Sequence, residues 1–71
     1  MTERDIVELT LRVSERARVS YTHASQAVDA VARHDLGMHS SRDLVGAAVL
    51  PAATRDHIIS LAVARAGGRV L

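Results

Sequence analysis

Ile6, Leu9, Val13 and Ala17 recur three or four residues apart and predict a helix over about Glu3–Arg18 with one buried face. The same stretch also alternates. Val7, Leu9, Leu11 and Val13 sit between Glu8, Thr10, Arg12 and Ser14, which is the period of a half-buried strand. End chemistry favours the helix. Thr2 followed by Asp5 has the spacing of a capping box. Glu3, Asp5 and Glu8 lie toward the start and Arg12, Arg16 and Arg18 toward the end, the charge order that suits the helix dipole. Glu8 and Arg12 add a favourable pair one turn apart. A strand over residues 6–13 stays as the alternative.

The remaining pattern is helical. Val19–Thr22 reads as a connector, with Ser20 or Thr22 available as a cap for a second helix over about His23–Leu36. Ala24, Val28, Val31 and Ala32 give that helix a narrow face of small residues, which admits a close neighbour, and Gly37 is placed to end it in the left-handed region. Ser40-Ser41-Arg42-Asp43 is a second capping sequence, opening a short helix to about Leu50 with Leu44, Val45, Ala48 and Val49 as its apolar stripe. Pro51 breaks this helix or begins the next at its first position. A last helix is expected over Arg55–Ala66, capped by Thr54 and stopped by Gly67-Gly68, with Arg69-Val70-Leu71 as a tail. The expectation is an all-α fold: a compact bundle of four short helices in a single domain, residues 1–71.

Composition changes the picture by limiting what can fill the core. Tyr21 is the single aromatic residue, there is no Phe, Trp or Cys, and the apolar content is Ala, Val, Leu and Ile with Met1 and Met38. Single-core domains of this size have little surplus stability, so association with another surface is expected. The absence of Cys excludes disulfides and thiolate metal sites and fits a reducing compartment. The start, Met1-Thr2-Glu3-Arg4-Asp5, lacks the pattern of a signal peptide, and the nonpolar stretch Val45–Ala53 is too short to span a bilayer. A cytoplasmic location is therefore expected. Net charge is +1, and all nine basic residues are Arg. GC-rich coding accounts for that bias and points to a bacterial or phage source; Arg also suits interfaces through its planar donors.

Candidate contact residues follow from the last helix. Ile58, Ile59, Leu61, Ala62 and Val63 make it apolar on more than one side, so it is either the central element of the bundle or carries a partner surface. On the second reading Ile59, Val63 and Ala66 are the anchors, with Arg55, Arg65 and Arg69 at the rim. The expected function is then that of a small regulatory or accessory protein acting through helical contacts, by forming a homo-oligomer or docking on a partner protein.

Nucleic-acid binding is the alternative. Residues 32–44 run Ala32-Arg33-His34-Asp35-Leu36-Gly37-Met38-His39-Ser40-Ser41-Arg42-Asp43-Leu44. A helix, a Gly turn and a second helix opening with polar residues resemble a helix-turn-helix DNA reader, and Asp35-Leu36-Gly37 resembles the turn of small phage repressors. The resemblance implies a dimeric regulator spanning about residues 24–49, with His39, Ser40, Ser41 and Arg42 facing base edges. Two places depart from that family's pattern. Arg33 stands where a small residue is usual and Asp43 where an apolar one is usual, while Ala32 and Leu44 lie one step further out.

Other chemistry finds little support. His23, His34, His39 and His57 contain no pair four residues apart and no HExxH sequence, so no metal site is expected. Ser40, Ser41, His39 and Asp43 are explained by capping, and a chain this short encloses little volume for a water-excluding pocket, so no enzymatic activity, cofactor or small-molecule substrate is expected. Without Trp or Phe anchors no membrane-surface role is expected either.

Overall fold

The structure is a computed structural model and describes residues 2–45 and 52–67. Its elements are α1 (Glu3–Ala17), α2 (Tyr21–Ala30) continuing into a π-helical turn (Val31–Asp35), α3 (Arg42–Val45) and α4 (Ala52–Gly67). The fold is all-α, and the alternating stretch 6–13 is helix. α4 packs along both α1 and α2, which also pack on each other. It is the central element.

Local chemistry explains the boundaries. Thr2 and Asp5 form the full capping box: the Asp5 N–H donates to Thr2 Oγ1 at 3.2 Å, and the Thr2 N–H donates to Asp5 Oδ2 at 2.9 Å. α1 ends one residue before the expected Arg18, because Arg18 itself turns left-handed (φ 57°). Its N–H and that of Val19 both reach the Ser14 carbonyl, and the Ser14 hydroxyl donates to the Val19 carbonyl at 2.6 Å. Ser20, not Thr22, caps α2, accepting from the His23 N–H at 3.1 Å, so α2 opens at Tyr21.

The second helix widens before it stops. Leu36 N–H bonds the Val31 carbonyl five residues back at 3.0 Å, and Met38 N–H bonds the Ala32 carbonyl six back at 2.8 Å. Gly37 then adopts φ +68°, the left-handed stop expected of it. A Cβ there would meet no atom within 4 Å, so the torsion, not space, is what calls for glycine.

α4 begins at Ala52, earlier than Arg55, and Thr54 lies inside it instead of capping it. Gly67 ends α4 against the end of α1, where an added Cβ would stand 3.1 Å from Ala17 Cβ and 3.2 Å from its carbonyl oxygen. The expected extension of α3 to Leu50, the roles of Pro51 and Gly68, and the tail 69–71 lie outside the described residues.

The core is Leu9 and Val13 of α1, Ala24, Ala27 and Val28 of α2, Val31 and Ala32 of the π turn, Leu44 of α3, and Ile58, Ile59 and Ala62 of α4. Thr10, 2% exposed, joins them by donating its hydroxyl to the Ile6 carbonyl at 2.7 Å, so its own oxygen is not stranded.

Two stability changes follow. Arg18→Gly relieves the left-handed strain but loosens the unfolded chain, and we expect a net gain of about 0.5–1 kcal/mol, read as a rise of a few degrees in Tm. Leu44→Ala empties a fully enclosed site. We expect a loss of about 2–5 kcal/mol, measured by urea denaturation; a loss below about 1 kcal/mol would show that α3 is not held in the core.

Candidate interaction surfaces

The six residues expected to form an α4 surface separate into different environments. Ile59 is 4% exposed and sits in the core, so it cannot anchor a partner while the bundle is closed. Val63 and Ala66 are half-buried against that core. Arg65 is occupied: its Nε and Nη2 donate to Asp35 Oδ2 and Oδ1 at 3.0 and 3.1 Å, tying α4 to the π turn. Arg55 is exposed and stands with Asp5, Glu8, Leu9, Arg12, Asp56 and Ile59 around a cleft of about 240 Å³ between α1 and α4. Arg69 lies outside the described residues.

The turn residues are arranged by aspartates. The Ser41 N–H donates to Asp29 Oδ1 at 2.9 Å, so the turn is stapled to α2, and Arg33 approaches the other oxygen at 3.4 Å. The Asp43 carboxylate reaches back to the His39 N–H at 2.8 Å, one residue earlier than a standard capping box, while Ser40 Oγ accepts from the Arg42 N–H at 3.2 Å. His39 and Arg42 are exposed; Ser40 and Ser41 are half-buried. Asp29 and Asp43 thus sit at the edge where His39, Ser40, Ser41 and Arg42 would meet DNA.

A third surface escaped the sequence reading. Val7 and Leu11 are 43% and 48% exposed, one turn apart on the outer side of α1. With Tyr21 they are the large apolar side chains left exposed among the described residues. Arg4 and Glu8 flank them, Arg4 Nε lying 3.8 Å from Glu8 Oε1. The signal was present: once α1 is helical, Ile6, Leu9, Val13 and Ala17 face the core, and Val7 and Leu11 cannot.

His23 Nε2 lies 3.1 Å from the Ala66 carbonyl oxygen, a link between α2 and the end of α4. Among the described residues no three His, Asp or Glu side chains group closely enough to hold an ion, and no helix is long and apolar enough to cross a membrane. No protein-family model matches the chain, and neither does any curated protein or solved structure.

Three aspartates are held below the ordinary aspartate value of 3.8: Asp35 chiefly by the Arg65 guanidinium, Asp29 chiefly by the Ser41 N–H, and Asp5 chiefly by the Thr2 N–H. A carboxylate with a depressed folded value contributes stability that is complete above its unfolded value and lost as pH falls through the folded one. Tm is therefore expected to be flat near neutrality and to fall below about pH 4. Asp35→Asn should lower Tm at pH 7 and reduce the acid slope; an unchanged slope would show that the Arg65 pair does not couple to folding.

Proposed function

We propose that the chain is a small, non-enzymatic regulatory or accessory protein that acts by docking a helical surface on protein, and that the outer side of α1 is that surface. The observation that carries this reading is the half-exposure of Val7 and Leu11 on one helical face, in a chain with few bulky apolar side chains to spare. Apolar residues at the centre of a patch with charged neighbours are the pattern of a protein contact. The α4 residues contribute less on this reading, since Ile59 is enclosed and Arg65 is engaged by Asp35. Arg55, at the α1–α4 cleft, is the one placed to add to the rim.

DNA binding is the competing proposal, supported by the order α2, Gly37 turn, α3 and by the exposure of Arg42. Asp29 and Asp43 at that edge work against it, because phosphate neutralisation supplies most non-specific affinity and carboxylates oppose it.

The test is the native mass of the complex recovered from producing cells. The wild-type chain should run above its monomer mass of 7.6 kDa. A Val7→Ser, Leu11→Ser double variant should return to monomer with Tm within a few degrees, because both side chains are half in solvent already. A wild-type chain that is monomeric throughout, or a double variant that unfolds, overturns the reading. A complex containing duplex DNA that is lost with Arg42→Ala would transfer support to the competing proposal.

A further inference from the structure

Resting on the α1 docking reading, we propose that the occupant of this surface is α1 of a second copy, packed antiparallel across a two-fold axis. At 3.6 residues per turn, Arg4, Val7, Leu11 and Glu15 fall within about 80° of arc on the outer side of α1. All four are exposed. Along the axis they read cation, apolar, apolar, anion, with Arg4 and Glu15 about 16 Å apart at 1.5 Å per residue. Such a row is complementary to itself when reversed. Setting Val7 against Leu11 of the second copy puts Leu11 against the second Val7. It also brings Arg4 within about 1.5 Å, in axial level, of the second Glu15, and the symmetric pair forms at the other end. Parallel pairing would instead face Arg4 with Arg4 and Glu15 with Glu15. Charge selects the antiparallel arrangement.

A second observation points the same way. The ends of α1 otherwise obey the helix dipole, with Glu3 and Asp5 in the first turn and Arg16 in the last. Arg4 in that first turn and Glu15 in the last run against it. By the dipole alone the opposite charge would serve better at both positions, although Arg4 also meets Glu8 within the helix. An intermolecular Arg4–Glu15 pair gives each a reason to be there. Glu8 and its copy come to the same side of the interface at nearly the same level, a repulsion that Arg4, 3.8 Å from Glu8 within the protomer and one turn further from the axis of symmetry, partly offsets. The Ser14 hydroxyl beside the row is already donated to the Val19 carbonyl, so closing the interface strands no hydroxyl there.

Charge reversal tests the arrangement on the full chain. Sedimentation velocity over about 10 μM to 1 mM should show a weak, concentration-dependent dimer, as expected of an interface at the small end of the size range. Arg4→Glu alone, or Glu15→Arg alone, should weaken it about tenfold by replacing two attractions with two repulsions. The Arg4→Glu, Glu15→Arg double variant should return to within about threefold of wild type. Each single change improves the fit to the helix dipole, but Arg4→Glu also removes the Arg4–Glu8 pair, so far-UV circular dichroism of each variant must match wild type for a loss of dimer to count. A dimer indifferent to both reversals, or one weakened equally by the double variant, overturns the antiparallel pairing. A chain monomeric at every concentration, yet dependent on Val7 and Leu11 for a complex with another protein, overturns self-pairing while leaving the docking reading intact. A dimer that survives Val7→Ser, Leu11→Ser overturns both.

Discussion

Helices can enclose a core of small side chains only by bringing their backbones close together. Among the described residues, Ala24, Ala27, Ala32 and Ala62 make up four of the eleven buried apolar residues of the core. Bulk comes from Leu9, Leu44, Ile58 and Ile59. Close approach is visible where Gly67 meets Ala17, since even one methyl group there would crowd a carbonyl oxygen. Because each enclosed residue removes few carbons from water, stability is spread thinly over many positions. It also explains why α4 is apolar on more than one side: it is clasped between α1 and α2.

The acidic residues divide their work by length. Asp5, Asp29 and Asp43 each accept a backbone N–H at 2.9 Å or less, and Asp35 takes both arms of Arg65. The short side chain holds the carboxylate near the backbone it must satisfy. All three Glu residues of the chain, Glu3, Glu8 and Glu15, are on α1 and exposed. The longer side chain reaches outward, where an exposed contact such as Arg4–Glu8 contributes little to the fold.

What was legible in the sequence was local. The Thr2–Asp5 box, the αL stop at Gly37 and the helical phase of Ile6, Leu9 and Val13 each depend on residues within a turn of one another. What escaped it depended on distance or on an unmarked torsion. Arg18 adopts φ 57° with no glycine to announce it. The Asp29–Ser41 staple and the Arg65–Asp35 clasp join residues 12 and 30 positions apart. The apolar breadth of α4 admitted two explanations that differ only in tertiary packing, and Ile59 and Ala62 belong to the core. The outer face of α1 was recoverable, because choosing the helix over the strand expels Val7 and Leu11 by arithmetic alone.

The π turn over Val31–Asp35 sets the heading of the chain as it leaves α2. Its i→i+5 bond encloses one residue more than an α-helical turn does. Everything after it is rotated by roughly a quarter-turn relative to an uninterrupted helix. Asp35 closes that turn and takes both arms of Arg65 from there. The turn that aims the chain toward α3 is thus also the one latched to α4.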